Sequence, residues 1–190
     1  MRNLLLTIML LSIAGIFLLF WLAQPEVFMK KTNYSSNAID RKFDSYMLSI
    51  SMLEFNKEGK LASKIEAANT SYFKESNRIK LNKPKLTYYQ TQDSTRPWYL
   101  KADKGETAND GKNIIFRKDV CVWKYLANGD KSELKTEKLT LYPKTHTVKT
   151  DRKVKMISPN GESVGVGMEG NLDTEVFKLL SDVQGIIHGR

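Results

Sequence analysis

A chain of 190 residues, 27% of them charged and with a formal net charge of +9, is long enough for one packed domain and a short additional segment. Its single cysteine, Cys121, excludes an intramolecular disulfide framework and carries no information on the redox compartment. The basic surplus suits acidic partners such as anionic lipid, acidic glycolipid or nucleic acid, or simply a solvated surface.

Residues 4–23 read LLLTIMLLSIAGIFLLFWLA, a run of 20 without one charge. As a helix rising about 1.5 Å per residue, it is about 30 Å long, the thickness of a bilayer's hydrocarbon core. A cleaved signal peptide is the competing reading, with Ser12-Ile13-Ala14 as a small-x-small site. Cutting there leaves GIFLLFWLA on the new N-terminus, and the run is longer than a usual signal core. Residues 1–23 are therefore expected to be a transmembrane anchor. Arg2 and the terminal amine before the span balance Lys30 and Lys31 after it, so flanking charge leaves the orientation open.

Residues 24–40, QPEVFMKKTNYSSNAI and Asp40, hold no period and are rich in Asn, Ser and Lys, which predicts a tether. From Phe43 onward, through residue 190, the pattern is that of a β domain, taken as residues 41–190. In Tyr46-Met47-Leu48-Ser49-Ile50-Ser51-Met52 the even positions are all apolar, which predicts a strand with one buried face. Glycine turns are expected at Asn56–Gly59, Asn109–Gly111, Asn128-Gly129 and Asn160-Gly161. Residues 65–72 are rich in alanine, but their Asn-Thr-Ser-Tyr stretch opposes a helix. Cys121, between Val120 and Val122, is expected to be a small core or half-buried residue.

The chain repeats itself. IEAANTSYFKESNRIKLNKP starts at Ile65, LKADKGETANDGKNIIFRKDV at Leu100, LKTEKLTLYPKTHTVKTDRKV at Leu134 and a degraded MEGNLDTEVFKLLSDV at Met168, spacings of 35, 34 and 34. Each opens with apolar-x-small, as in Ile65/Ala67, Leu100/Ala102, Leu134/Thr136 and Met168/Gly170. Such a period marks one supersecondary unit used several times, here two to four antiparallel strands.

Chemistry has little to stand on. His146 and His188 are the only histidines, and neither has a Cys or carboxylate at ligand spacing. No phosphate loop, nucleophile elbow or paired-carboxylate motif is present, so no enzyme, metal or cofactor is expected. Trp98, Tyr99, Trp123 and Tyr125 match no recognised base-stacking platform, so nucleic-acid binding is not expected either.

Several segments in order carry a family resemblance. They are the apolar N-terminus, Phe55-Asn56-Lys57-Glu58-Gly59-Lys60-Leu61 leading into Ile65-Glu66-Ala67, and Trp98-Tyr99-Leu100-Lys101-Ala102-Asp103-Lys104-Gly105. Thr136-Glu137-Lys138-Leu139-Thr140-Leu141 and Gly167-Met168-Glu169-Gly170-Asn171-Leu172 complete the set. Over residues 45–177 and the anchor, the chain resembles the LptC family, the bitopic inner-membrane component of the lipopolysaccharide-transport bridge. More broadly it is similar to LptA/OstA-type β-jellyrolls. One departure is Lys118, where that family usually has the glycine of an x-Gly-x-Val segment, and a local difference in bend is expected there.

The resemblance implies a twisted, partly open antiparallel β-jellyroll or sandwich of about fifteen strands behind one transmembrane helix. It implies a non-enzymatic protein of the inner membrane of Gram-negative cells, its C-terminal domain in the periplasm. That protein receives lipopolysaccharide from an inner-membrane ABC transporter complex of the LptBFG type in an apolar groove. It hands the lipid to a periplasmic LptA-type jellyroll through a C-terminal edge strand at about 165–187. Alternation supplies the lining expected of such a groove: Ile50, Ile65, Ala67, Ile79, Leu81, Leu100, Ala102, Val120, Val122, Leu139, Leu141, Val154, Met156, Met168 and Leu172. Arg78, Lys80, Lys83, Lys85, Arg152 and Lys153 are candidates to meet lipid phosphates at its mouth, the alternative for each being a place on a solvated rim. The alternative is a tethered periplasmic assembly scaffold that recruits partners by edge-strand pairing and binds no lipid, its sandwich filled by its own side chains.

Overall fold

The computed structural model describes residues 12–14, 43–90, 95–108 and 111–187. The chain divides into two units, Met1–Arg41 and Lys42–Arg190. Of the first, only Ser12, Ile13 and Ala14 are described, and they are helical. The rest of the expected anchor and the tether lie outside the described residues. No described helix is long and apolar enough to cross a membrane.

The second unit is built from eleven strands: β1 (Ser45–Phe55), β2 (Leu61–Phe73), β3 (Arg78–Asn82), β4 (Lys85–Tyr88), β5 (Trp98–Lys101), β6 (Lys104–Ala108), β7 (Asn113–Tyr125), β8 (Lys131–Tyr142), β9 (Thr147–Ser158), β10 (Gly161–Asn171) and β11 (Val176–Ile187). All pair antiparallel in one sheet. β3 and β4 are one pass of chain broken at Lys83-Pro84, and β5 and β6 are another broken at Ala102-Asp103. Each pass therefore pairs with the next in chain order, from β1 at one edge to β11 at the other. The expected fifteen strands become eleven because several runs continue through a bend instead of ending there.

Those bends fall on one transverse line. Ser49 (φ 50°), Lys83 (φ 49°), Lys118 (φ 64°), Asp119 (φ 46°), Gly167 (φ 73°) and Asp182 (φ 50°) hold left-handed backbone. Register joins them across the sheet: Lys83 donates its N–H to Asp103 O (2.8 Å) and Asp103 to Lys118 O (3.0 Å). The ladder also slips between Arg117 and Val120, between Thr136 and Thr140, and between Val166 and Met168. Bulges bend the strand that carries them and increase its twist, so the line creases the whole sheet. Lys118, the departure from the family pattern, adopts the conformation a glycine would, at about 1 kcal/mol or more of steric cost.

On either side of the crease, inward residues stand in rows. One row runs Met52, Ile65, Leu86, Leu100, Val122, Leu134, Met156, Ser163 from β1 to β10. Another runs Thr70, Leu81, Gly105, Phe116, Leu139 from β2 to β8. The period of about 34 residues is thus two passes, after which the chain returns to the same direction and the same face. The fourth copy is an exception. The register partners of Met156 and Val154 in β10 are Ser163 and Gly165, so Met168/Gly170 lies across the crease from its expected place.

Two expectations for local structure hold and one does not. Residues 65–72 lie in β2, and Asn56 forms a turn by accepting the N–H groups of Glu58 and Lys60 on Oδ1, both at 2.9 Å. β1, however, has no buried face: Tyr46, Leu48 and Met52 are 50, 69 and 49% exposed and only Ile50 is half-buried. An edge strand has one neighbour, and among the described residues only Ile50 of β1 packs against the core from its apolar positions, so alternation in β1 does not translate into a buried face.

Candidate functional site

The inner face of the sheet is one apolar surface. All fifteen residues expected to line a groove lie on it. Twelve are buried, and Ile50, Ile79 and Met156 are half-buried against the same cluster. Phe116, Leu139, Val154 and Met168 are fully buried near the crease. Sequence reasoning missed Phe116, Leu86, Tyr88, Trp98, Ile114, Leu134 and Val148, which share that cluster.

The folded sheet brings opposite strand ends together. Loops after β8 and β10 close over the ends of β4, β5 and β7, joined by a polar clasp. Trp98 Nε1–H donates to Leu172 O at 3.0 Å. Gln90 Nε2 donates to Leu172 O, Asp173 O and Glu175 Oε1 at 2.9, 3.1 and 3.0 Å. Tyr88 donates its hydroxyl to Asp173 Oδ1 at 2.7 Å, and His146 Nδ1 contacts Asp173 Oδ2. Burial first, and then the Asp173 carboxylate, push the Tyr88 hydroxyl far above its ordinary pKa. The structure thus brings His146 a carboxylate that its own neighbourhood in the chain lacks.

At one end of the clasp is a buried cation. Lys124 is 3% exposed, and its ammonium donates to Gln90 Oε1 and Glu175 Oε1 while lying 5.6 Å from the centre of the Trp98 ring. Burial pushes the Glu175 carboxyl up, but hydrogen bonds from Lys124 and Gln90 outweigh it and hold the group below its ordinary pKa. Phe177 meets Trp98 edge-on at 5.4 Å. Gly170, opposite Phe177 in the ladder, leaves room for that ring: a Cβ there would stand 2.2 Å from Phe177 Cδ1.

Two openings flank the packed centre. One, of about 240 Å³, is lined by Trp98, Val122, Lys124, Leu134, Met156 and Phe177, among others. The second, of about 510 Å³, lies by Met52, Leu53, Ile65, Ile79, Thr107 and Ile114. The six basic residues expected at a groove mouth are all exposed. Arg78 pairs with Glu106 at 3.1 Å, Lys80 covers the Phe73 ring, and Lys153 lines a concavity of about 900 Å³ on the other face of the sheet. Among the described residues the buried cation is Lys124.

That outer concavity is lined mostly by charged residues, among them Lys101, Asp119, Glu137 and Lys155, together with aromatic ones. Lys131 and Lys135 both pair with Glu133 there, which lowers the Glu133 pKa to about 2. Tyr99 stacks on Trp123 at 5.4 Å, Tyr125 meets Tyr99 edge-on, and the Lys131 ammonium lies 5.3 Å from the Trp123 ring centre. Three of the four aromatic residues therefore do cluster, while Trp98 faces inward. Cys121 is buried beneath this face, and burial, followed by Glu133, pushes its thiol pKa up. No group of three or more His, Cys, Asp or Glu able to hold a metal occurs among the described residues.

A creased antiparallel sheet with an apolar inner face and, among the described residues, an edge strand at each side paired on one flank only is a β-jellyroll of the open kind. A solved structure with this fold is that of LptH from Pseudomonas aeruginosa, described as the LptA homologous periplasmic component of the conserved lipopolysaccharide transport device. The two share a TM-score of 0.52 and 6% identity, over 67% of this chain and 95% of that one, a likeness of fold alone. The family model described as "Lipopolysaccharide-assembly, LptC-related" matches residues 7–188, and the chain belongs to that family. Membership together with the fold supports a role in the lipopolysaccharide transport bridge. No curated protein matches the chain by sequence.

Proposed function

We propose that this chain is a non-enzymatic conduit for lipopolysaccharide. Residues 1–23 tether it in the inner membrane, residues 24–40 span to the domain, and residues 41–190 stand in the periplasm. The inner face receives the acyl chains from an LptBFG-type transporter. β11, within residues 165–187, passes them on by pairing with an LptA-type jellyroll. The observation that carries this reading is the unbroken apolar row from Met52 in β1 to Met156 in β9, part of one inner apolar cluster, in a sheet whose two edge strands each have one neighbour. Both edges are apolar: Leu53 and Phe55 in β1 are 50 and 57% exposed, and Val183 and Ile186 in β11 are 58 and 69% exposed. Exposed apolar edges are templates for strand addition.

The test is a photoreactive amino acid at Ile79, Val120 or Met156 in the full-length protein, illuminated in cells. Lys80 and Lys155 serve as outward controls. Lipopolysaccharide crosslinks at the inward positions alone are expected, strongest at Ile79 and Met156 beside the openings. Absence of lipid at every inward position, in a protein that still captures its jellyroll partner, would favour the assembly scaffold.

A further inference from the structure

A buried lysine in an apolar cavity is costly unless its charge is met. Lys124 is met from two sides: by the amide oxygen of Gln90, on the chain leaving β4, and by the carboxylate of Glu175, at the end of the β10–β11 turn. The two partners differ in how they are held. Gln90 is buried, whereas the Glu175 side chain is 45% exposed and its backbone is left-handed, at φ 59°. A left-handed residue other than glycine carries strain that its contacts must offset. Glu175 is therefore the exchangeable anion, and the turn that carries it is released when Lys124 finds another. The adjoining cavity of about 240 Å³ is walled by Val122, Leu134, Met156 and Phe177, so an incoming anion with an apolar tail is accommodated at both ends.

We infer that Lys124 is the interior receptor for the anionic phosphate head of an amphiphile, and that the Glu175 carboxylate occupies it until that head displaces it and frees the β10–β11 turn. This inference rests on the reading of the interior as a site for acyl chains. Trp98 reports on it directly, since its indole N–H is bonded to Leu172 O at the start of the same turn.

The experiment titrates the full chain, kept soluble in amphipol, with hexyl phosphate, 1-hexanol and inorganic phosphate, all monomeric in water. The readout is the indole N–H resonance of Trp98, assigned with Trp98→Phe. Hexyl phosphate is expected to bind about tenfold more tightly than hexanol or inorganic phosphate, since a charge-assisted bond is added to chain burial. It should also shift the indole signal as the bond to Leu172 breaks. Glu175→Gln is expected to tighten hexyl phosphate by about tenfold and leave hexanol unchanged. Lys124→Met is expected to abolish the preference for phosphate; Lys124→Arg, which keeps the charge, tests it if the methionine variant does not fold. Equal binding of hexyl phosphate and hexanol, or no gain in Glu175→Gln, overturns the role of Lys124 and leaves the acyl groove standing. Inorganic phosphate binding as tightly as hexyl phosphate overturns the amphiphile. No binding of either hexyl compound, in wild type or Glu175→Gln, overturns both the receptor and the groove.

Discussion

Trp98 donates its indole N–H to the carbonyl oxygen of Leu172 at 3.0 Å, across 74 residues of chain. With Phe177 edge-on against the same ring, this contact holds the β10–β11 turn over the ends of β4, β5 and β7. Trp98→Phe keeps a ring in place and removes the donor, while Gln90 still serves the Leu172 carbonyl. The expected loss is about 1–2 kcal/mol, seen as a lower urea midpoint at unchanged m-value. An unchanged midpoint would mean that the bond adds nothing to stability.

Gly170 and Phe177 form a pair in which one residue is small because the other is large. Gly170→Ala places a methyl 2.2 Å from the Phe177 ring and forces it off Trp98. Overpacking of this kind costs about 1–3 kcal/mol. In a double-mutant cycle, Phe177→Ala should cost less in the Gly170→Ala background than in the wild type, because its contact with Trp98 is already disturbed. Strict additivity would show the two sites to be independent.

Lys118 tests the crease. Its φ of 64° suits glycine, so Lys118→Gly relieves about 1–2 kcal/mol of strain against a loss of about 0.4–1 kcal/mol from greater freedom of the unfolded chain. The variant is expected to be as stable as the wild type or slightly more so. Lys118→Val, β-branched at a left-handed position, should be less stable, and thermal unfolding of the two side by side would read the difference. Equal stability of the glycine and valine variants would contradict the left-handed assignment.

Glu133 makes stability depend on pH in the acid range. Hydrogen bonds from Lys131 and then Lys135 hold its carboxyl at about 2, against an ordinary 4.5. A lowered folded-state value means that the stabilisation is fully present above about 4.5 and is lost as pH falls toward 2. Both lysines are substantially exposed, so screening limits the effect to about 1 kcal/mol. Glu133→Gln should therefore be less stable than wild type near neutrality, and the gap should close as the pH is lowered through that window. A gap that stays constant with pH would assign the effect to packing rather than to charge.

How much was legible depended on whether a residue's environment is local. The fifteen residues expected to line a groove all pack on the inner face, thirteen of them in strands, because side-chain direction along a strand has period two whatever the strand pairs with. The same rule extends from Val120 and Val122 to Lys124, yet a lysine at that position does not read as interior. Its burial depends on Glu175 and Gln90, which are 51 and 34 residues away in the chain. Burial in β1 was misread for the converse reason: the pattern is present, but the strand lies at an edge. The fourth repeat is out of place because the β9–β10 turn is tight, Ser158 pairing with Gly161, so the row through Leu134 and Met156 reaches β10 already at Ser163, ahead of Met168, and a spacing count does not register the length of a turn.

By itself, the amino-acid order determined an all-β domain, its glycine turns at Asn56–Gly59, Asn128-Gly129 and Asn160-Gly161, the face taken by the alternating apolar residues and the family to which the chain is related. These follow from interactions spanning a few residues, and from motifs that keep their order. Tertiary structure alone decided where the sheet creases, which strands are left at its edges and that Lys124, rather than a surface lysine, is the cation of the interior. Each of those depends on segments far apart in the chain meeting across the folded sheet, and no local pattern encodes which ends will meet.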